Sequence, residues 1–179
     1  MNKQNAIFLD RDGTLLKEVN FLSRVEDIEI FDFTPTALRA LKDAGYLLIV
    51  VTNQSGIGRE IYSEADMHAI HDSMQTSLDG IIDAFYFCPH LPTDGCVCRK
   101  PGRGMFDVAE SQFEIDFDGS WMIGDKSIDV EAGNSAGLQT ALVLTGYGEE
   151  HQLSLQVKPT IVSDHFGDAV TLILKQKSD

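Results

Sequence analysis

The sequence predicts an α/β fold, a three-layer Rossmann-like parallel sheet flanked by helices, from three observations. Short apolar runs alternate along the chain with amphipathic stretches of helical period. Several of the runs are apolar throughout, as strands buried on both faces must be. Polar clusters follow directly on the runs, and open parallel sheets collect their ligands beyond the carboxyl ends of strands.

Taken in order, Ala6 to Leu9 reads as a buried strand that stops at Asp10. Pro35 to Ala44 places Ala37, Leu38 and Leu41 at helical spacing, with Gly45 as its stop. Tyr46 to Val51 is the next strand. Ser63-Glu64-Ala65-Asp66 resembles a capping box, and Met67, Ile70, Met74 and Leu78 follow on one core-facing stripe. Ala84 to Cys88 is a third strand, Met105 to Phe113 a helix, and Trp121 to Ile123 a strand ending at Gly124-Asp125. Ile128 to Ala136 is helical with Gly137 as its stop. Ala141 to Leu144 and Thr160 to Val162 are further strands, and Phe166 to Lys175 a last helix. His68 and His71 fall on the capped helix, His151 and His165 in polar surroundings. Adjoining no motif, all four read as packing or surface groups. No repeat or linker divides residues 1–179, which read as one domain.

Charge narrows the function. The 28 acidic residues against 14 basic ones give a formal charge of -14, which excludes a broad nucleic-acid face. An anionic substrate then needs a local island of cations or a metal. No apolar run approaches the ~20 residues of a membrane span, and residues 1–5 lead into no signal-like segment. The three cysteines all lie between Cys88 and Cys98, as metal ligands in a reducing compartment would, so the cytoplasm is the expected location.

Asp10-Arg11-Asp12-Gly13-Thr14 sets two acids two residues apart after a buried strand. Their repulsion becomes useful around Mg²⁺, which takes a few carboxylate oxygens plus water and phosphate. Gly124-Asp125-Lys126-Ser127-Ile128-Asp129 supplies a second acidic pair. Asp125 can complete the cation site, and Asp129 can orient it. Thr52-Asn53-Gln54-Ser55 offers hydroxyl and amide donors to phosphoryl oxygens, and Arg99-Lys100 adds fixed positive charge. Such a set suits phosphoryl transfer. Cys88, His90, Cys96 and Cys98 have the number and softness of a closed tetrahedral Zn²⁺ site, a structural one that would steady the loop before Arg99.

Asp-x-Asp-Gly-Thr, Thr-Asn-Gln-Ser, Lys-Pro and Gly-Asp-x-x-x-Asp, in that order, resemble the four motifs of the haloacid dehalogenase-like phosphohydrolases. The zinc loop and the stretches around Phe8 to Thr14 and Val51 to Arg59 resemble the capless branch that holds the heptose-bisphosphate and histidinol-phosphate phosphatases. The resemblance covers roughly residues 5 to 147. It implies Asp10 as nucleophile and Asp12 as general acid and base. It implies Mg²⁺ on Asp10, Asp125 and the main-chain carbonyl of Asp12. Thr52 and Lys100 would stabilise the transferring phosphoryl group. Substrate would be met by Glu18, Val19, Asn20, Phe21, Thr52, Asn53, Gln54, Ser55, Arg99, Lys100 and Lys126. Ser55, Arg59 and Lys126 favour the heptose substrate over histidinol phosphate by resemblance, and Arg59, Arg99, Lys100, Arg103 and Lys126 are the cations expected around two phosphates. A monomer that binds a small sugar phosphate, and no nucleic acid or membrane, is the implied partner state. The contrasting reading is a non-catalytic metal-binding module, against which the intact acidic set argues.

Overall fold

The computed structural model describes residues 3–178. Six strands, all parallel, form one sheet: β1 (Ala6–Leu9), β2 (Leu47–Asn53), β3 (Ala84–Cys88), β4 (Trp121–Gly124), β5 (Gln139–Val143) and β6 (Ile161–Ser163). Their spatial order is β3-β2-β1-β4-β5-β6, so the direction of winding reverses between β1 and β4. That reversal opens a crevice at the carboxyl ends of those two strands.

Alternation along β1 shows how the layers form. Ile7 and Leu9 join one core with α1 (Thr34–Asp43), α3 (Glu64–Ser77) and α7 (Phe166–Ser178). Ala6 and Phe8 face the opposite core, with α4 (Gly104–Gln112) and α5 (Ser127–Ala136). A strand covered on both faces has to be apolar at every position, as Ala6 to Leu9 is. Between β1 and α1, residues 10–33 form a short flap with bridges Asp12↔Leu16 and Leu16↔Ile30 and a single 3₁₀ turn, with no inserted domain.

Helix limits follow the expected signals. The Ser63 hydroxyl accepts from Asp66 N–H while the Asp66 carboxylate accepts from Ser63 N–H, closing the capping box of α3. Gly137 ends α5 in the left-handed region at φ 82°. The differences lie at edges. β2 runs on through Thr52 and Asn53, which pair with Phe87 and Cys88, so those two residues belong to the strand rather than to the loop after it. Two short helices, α2 (Ser55–Gly58) and α6 (Gly148–Gln152), carry too few residues for a periodic signal. Among the described residues no helix is long and apolar enough to cross a membrane.

Candidate active site

Three neighbouring strands deliver the polar clusters to one place. Asp10 leaves β1, Thr52 and Asn53 end β2, and Asp125 leaves β4. Asp10, Asp12, the segment 18–21, residues 52–55, Arg99, Lys100 and Lys126 line a single cleft there, and Asp129 joins them. Asp125 is 0% exposed and lies under the floor. The turn after β1 can enter this crowd only because residue 13 is glycine. Its φ is +83°, and a Cβ there would sit 2.2 Å from Asp125 Oδ2.

Lys100 is the buried hub. Its Nζ donates to Asp10 Oδ1 at 3.0 Å and to the Val51 carbonyl at 2.7 Å, and it pairs with Asp129 Oδ1 at 2.7 Å. The Asn53 amide accepts from Lys100 N–H at 3.0 Å and donates to Lys100 O at 3.1 Å, so it holds the lysine's main chain at the edge of the cleft. Gln54 Nε2 bridges Asp12 Oδ2 and Thr52 Oγ1 at 2.9 and 2.8 Å. Lys126 reaches Asp125 at 3.2 Å and Glu18 at 3.4 Å, with the Tyr147 ring beneath its ammonium at 4.9 Å.

Electrostatics follow from this geometry. Burial works to raise the Asp10 carboxyl, but Lys100 and then Lys126 outweigh it and hold Asp10 below its ordinary value. Asp125 goes the other way: burial, then the charge of Asp10, push it up to about 8 despite Lys126. Glu18 is raised chiefly by burial. With Arg11 set against Asp12, four carboxyls (Asp10, Glu18, Asp125, Asp129) face two ammoniums (Lys100, Lys126). That surplus of hard oxygen donors fits a divalent cation. Oxygens of Asp10, Asp125 and Asp129 lie within 4.8 Å of one another. All three carry bonds of their own: Asp10 to Lys100, Asp125 to Lys126 and Tyr147 N–H, and Asp129 to Lys100 and Lys126 N–H.

A second group of ligands gathers beside the cleft. Sγ atoms of Cys88, Cys96 and Cys98 are 3.1 to 3.6 Å apart, and His90 Nδ1 is 3.5 Å from Cys88 and 3.2 Å from Cys98. A tetrahedron with Zn–S bonds of about 2.3 Å has edges of about 3.8 Å, so these four atoms surround a point in the manner of a closed zinc site. Arg99 Nη1 donates to the His90 carbonyl at 3.2 Å, tying that cation to the loop.

Some sequence expectations need correction. Arg103 is turned away from the cleft, paired with Asp107 at 2.6 Å and Glu110 at 3.2 Å over the Phe117 ring. Arg59 lies over Phe21 at 5.7 Å, outside the cleft lining. Two of the dismissed histidines do adjoin motifs. His71 Nε2 is 3.2 Å from Arg11 Nη1, and His151 Nδ1 accepts from Ser127 N–H at the start of α5. The periodicity carried the signal for His71, because it shares the stripe of Met67, Ile70 and Met74. Tyr62, whose hydroxyl donates to Gln54 Oε1 at 2.5 Å, and Tyr147 had no such signal.

Residues 97–169 match the profile of the HAD-hydrolase-like family, a class of hydrolases. Curated relatives narrow the class. The D-glycero-beta-D-manno-heptose-1,7-bisphosphate 7-phosphatase of Haemophilus ducreyi is 41% identical over 154 residues, covering 80% of this chain and 85% of the relative. The corresponding alpha enzyme of Photorhabdus laumondii is 40% identical over 159 residues, covering 82% and 86%. A crystal structure of the D,D-heptose 1,7-bisphosphate phosphatase of B. bronchiseptica, complexed with magnesium and phosphate, superposes with a TM-score of 0.89 at 30% identity, covering 96% of this chain and 99% of the other. The chain belongs to the family of D-glycero-D-manno-heptose-1,7-bisphosphate 7-phosphatases.

Proposed function

We propose that this phosphoric monoester hydrolase removes the 7-phosphate of D-glycero-D-manno-heptose 1,7-bisphosphate, on the way to nucleotide-activated heptose for lipopolysaccharide. The observation that carries the reading is the meeting of Asp10, Asp12, Thr52 and Lys100 in one cleft across the β1/β4 reversal. Asp10, held ionised by Lys100, attacks phosphorus to form an aspartyl-phosphate while the bond to the sugar oxygen breaks. Asp12 gives its proton to that oxygen, then takes one from the water that attacks phosphorus and frees Asp10. Lys100 and Thr52 stabilise charge on the transferring group, and Arg99 with Lys126 meets the remainder of the anion. Asp10, Asp125 and the main-chain carbonyl of Asp12 would hold Mg²⁺, whose charge neutralises phosphoryl oxygens when bound. Cys88, His90, Cys96 and Cys98 would hold a structural Zn²⁺. A single cytoplasmic domain acting as a monomer, without nucleic-acid or membrane partners, accords with the charge and size. Phosphate release with Mg²⁺ from heptose 1,7-bisphosphate, measured against histidinol phosphate on one preparation, tests the assignment. A higher kcat/KM for histidinol phosphate reverses it.

Metal binding gives two expected results. Burial and the charge of Asp10 push the Asp125 carboxyl up to about 8 from 3.8 for the free group. Between those values the folded state keeps a proton that the unfolded chain has lost, so this group's contribution to stability falls as pH rises through the window. Mg²⁺ must displace that proton. The thermal shift given by a fixed Mg²⁺ concentration is therefore expected to grow from about pH 6 to about pH 8, and equal shifts would remove Asp125 from the ligand set. Cys96→Ser is expected to lower bound zinc and to reduce Tm by about 5–10 °C. Elemental analysis with a thermal scan checks this, and unchanged zinc content dismisses the site.

A further inference from the structure

Arg11 is only 1% exposed, yet the chemistry proposed above gives it no part. Its guanidinium lies against Asp12. Nη2 is 2.8 Å from Asp12 Oδ2, and the single Nε–H is shared between Oδ2 at 3.0 Å and Oδ1 at 3.2 Å. Gln54 Nε2 adds a third donor to Oδ2 at 2.9 Å. Oδ2 is thus saturated, while Oδ1 receives only the longer branch of a shared bond.

The remaining arm of the fork, Nη1, is 3.2 Å from His71 Nε2. A guanidinium has donors and no acceptor, so Nε2 must take this bond with its lone pair and the ring proton must sit on Nδ1. Burial, followed by the charges of Arg11 and His68, depresses His71 to about 3, so the imidazole stays neutral and able to accept. The ring is pinned against Phe85 of β3, centroids 4.6 Å apart at 25°. A cation so deeply buried is costly unless its partners are fixed in place, and here every partner is.

We infer that His71 and Arg11 are positioning residues for phosphoryl transfer: the imidazole locks the Arg11 fork, the fork holds Asp12 by Oδ2, and Oδ1 is left to exchange the proton with the leaving-group oxygen. The inference rests on the proton-transfer reading of Asp12. Its test exploits the leaving group. A sugar oxygen needs a proton as its bond to phosphorus breaks, whereas p-nitrophenolate departs as the anion. His71→Asn, too short to reach Nη1, is expected to lower kcat/KM for the heptose bisphosphate about tenfold while p-nitrophenyl phosphate stays within about twofold of wild type. His71→Gln places an amide oxygen near the position of Nε2 and is expected to restore the sugar ester to within about threefold. Arg11→Lys keeps the charge but loses the fork, and it is expected to give the same split should His71→Asn fail to fold. Equal losses on both esters, or no loss on the sugar ester, overturn the positioning role. Asp12→Asn, run alongside, is expected to show a larger split. Its absence there overturns the reading of Asp12, and the inference with it.

Discussion

Asp10→Asn is expected to reduce kcat by at least about 10⁴-fold, because an amide oxygen cannot form the acyl phosphate on which turnover depends. The substitution preserves shape. The introduced amide still offers an oxygen to Lys100 Nζ, 3.0 Å from the carboxylate in the native site, so the floor of the cleft keeps its hydrogen bond. It also removes the charge that helps push Asp125 up to about 8. Thermal stability at neutral pH is accordingly expected to hold, with Asp125 returning towards the ordinary carboxylate range. A denaturing quench of wild-type enzyme during turnover is expected to trap base-labile phosphate on the peptide carrying Asp10, and none in the variant. Activity within about tenfold of wild type would place the nucleophile elsewhere.

Lys100→Met is expected to harm both stability and turnover. The ammonium is the shared partner of Asp10 and Asp129, both buried, and its loss leaves two carboxyls with only the weaker influence of Lys126 to offset them. Breaking a buried ion pair costs about 3–5 kcal/mol, which for a domain of this size lowers Tm by roughly 6–20 °C. Turnover is expected to fall by about 10³-fold, since the charge facing the phosphoryl group goes with it. The loss of Tm is expected to shrink as pH falls, because Asp129, already raised by burial, then carries a proton and needs no partner. Thermal scans at about pH 5 and about pH 8 separate this electrostatic cost from loss of packing. A pH-independent loss would mean that the lysine's methylenes, not its charge, support the site.

Most of this layout is legible in the sequence because buried parallel strands leave a plain mark. Ala6 to Leu9 and Trp121 to Ile123 are apolar at every position, and their ends alone bring Asp10 and Asp125 to one crevice. The cysteine and histidine cluster is equally plain, since its four side chains fall within eleven residues. Partnerships across long sequence separation are not legible. The fork of Arg11 meets a histidine 60 positions away, and Asn53 meets Lys100 across 47. Residue type suggests that Asn53 bonds to phosphate, and nothing in its sequence neighbourhood announces that its amide also clamps the main chain of Lys100. Charge counting likewise puts Arg103 among the substrate cations, although Asp107, one helical turn on, captures it.

The hydrogen bond from Arg99 to the carbonyl of His90 has a consequence for how the excursion between β3 and α4 can vary. Arg99 and Lys100 are neighbours on that excursion, the first tied back to His90 and the second clamped through its main chain to Asn53 at the end of β2. Any recutting that shifts the guanidinium therefore tugs on the buried ammonium beside it. Drift at the rim and integrity of the floor are mechanically coupled.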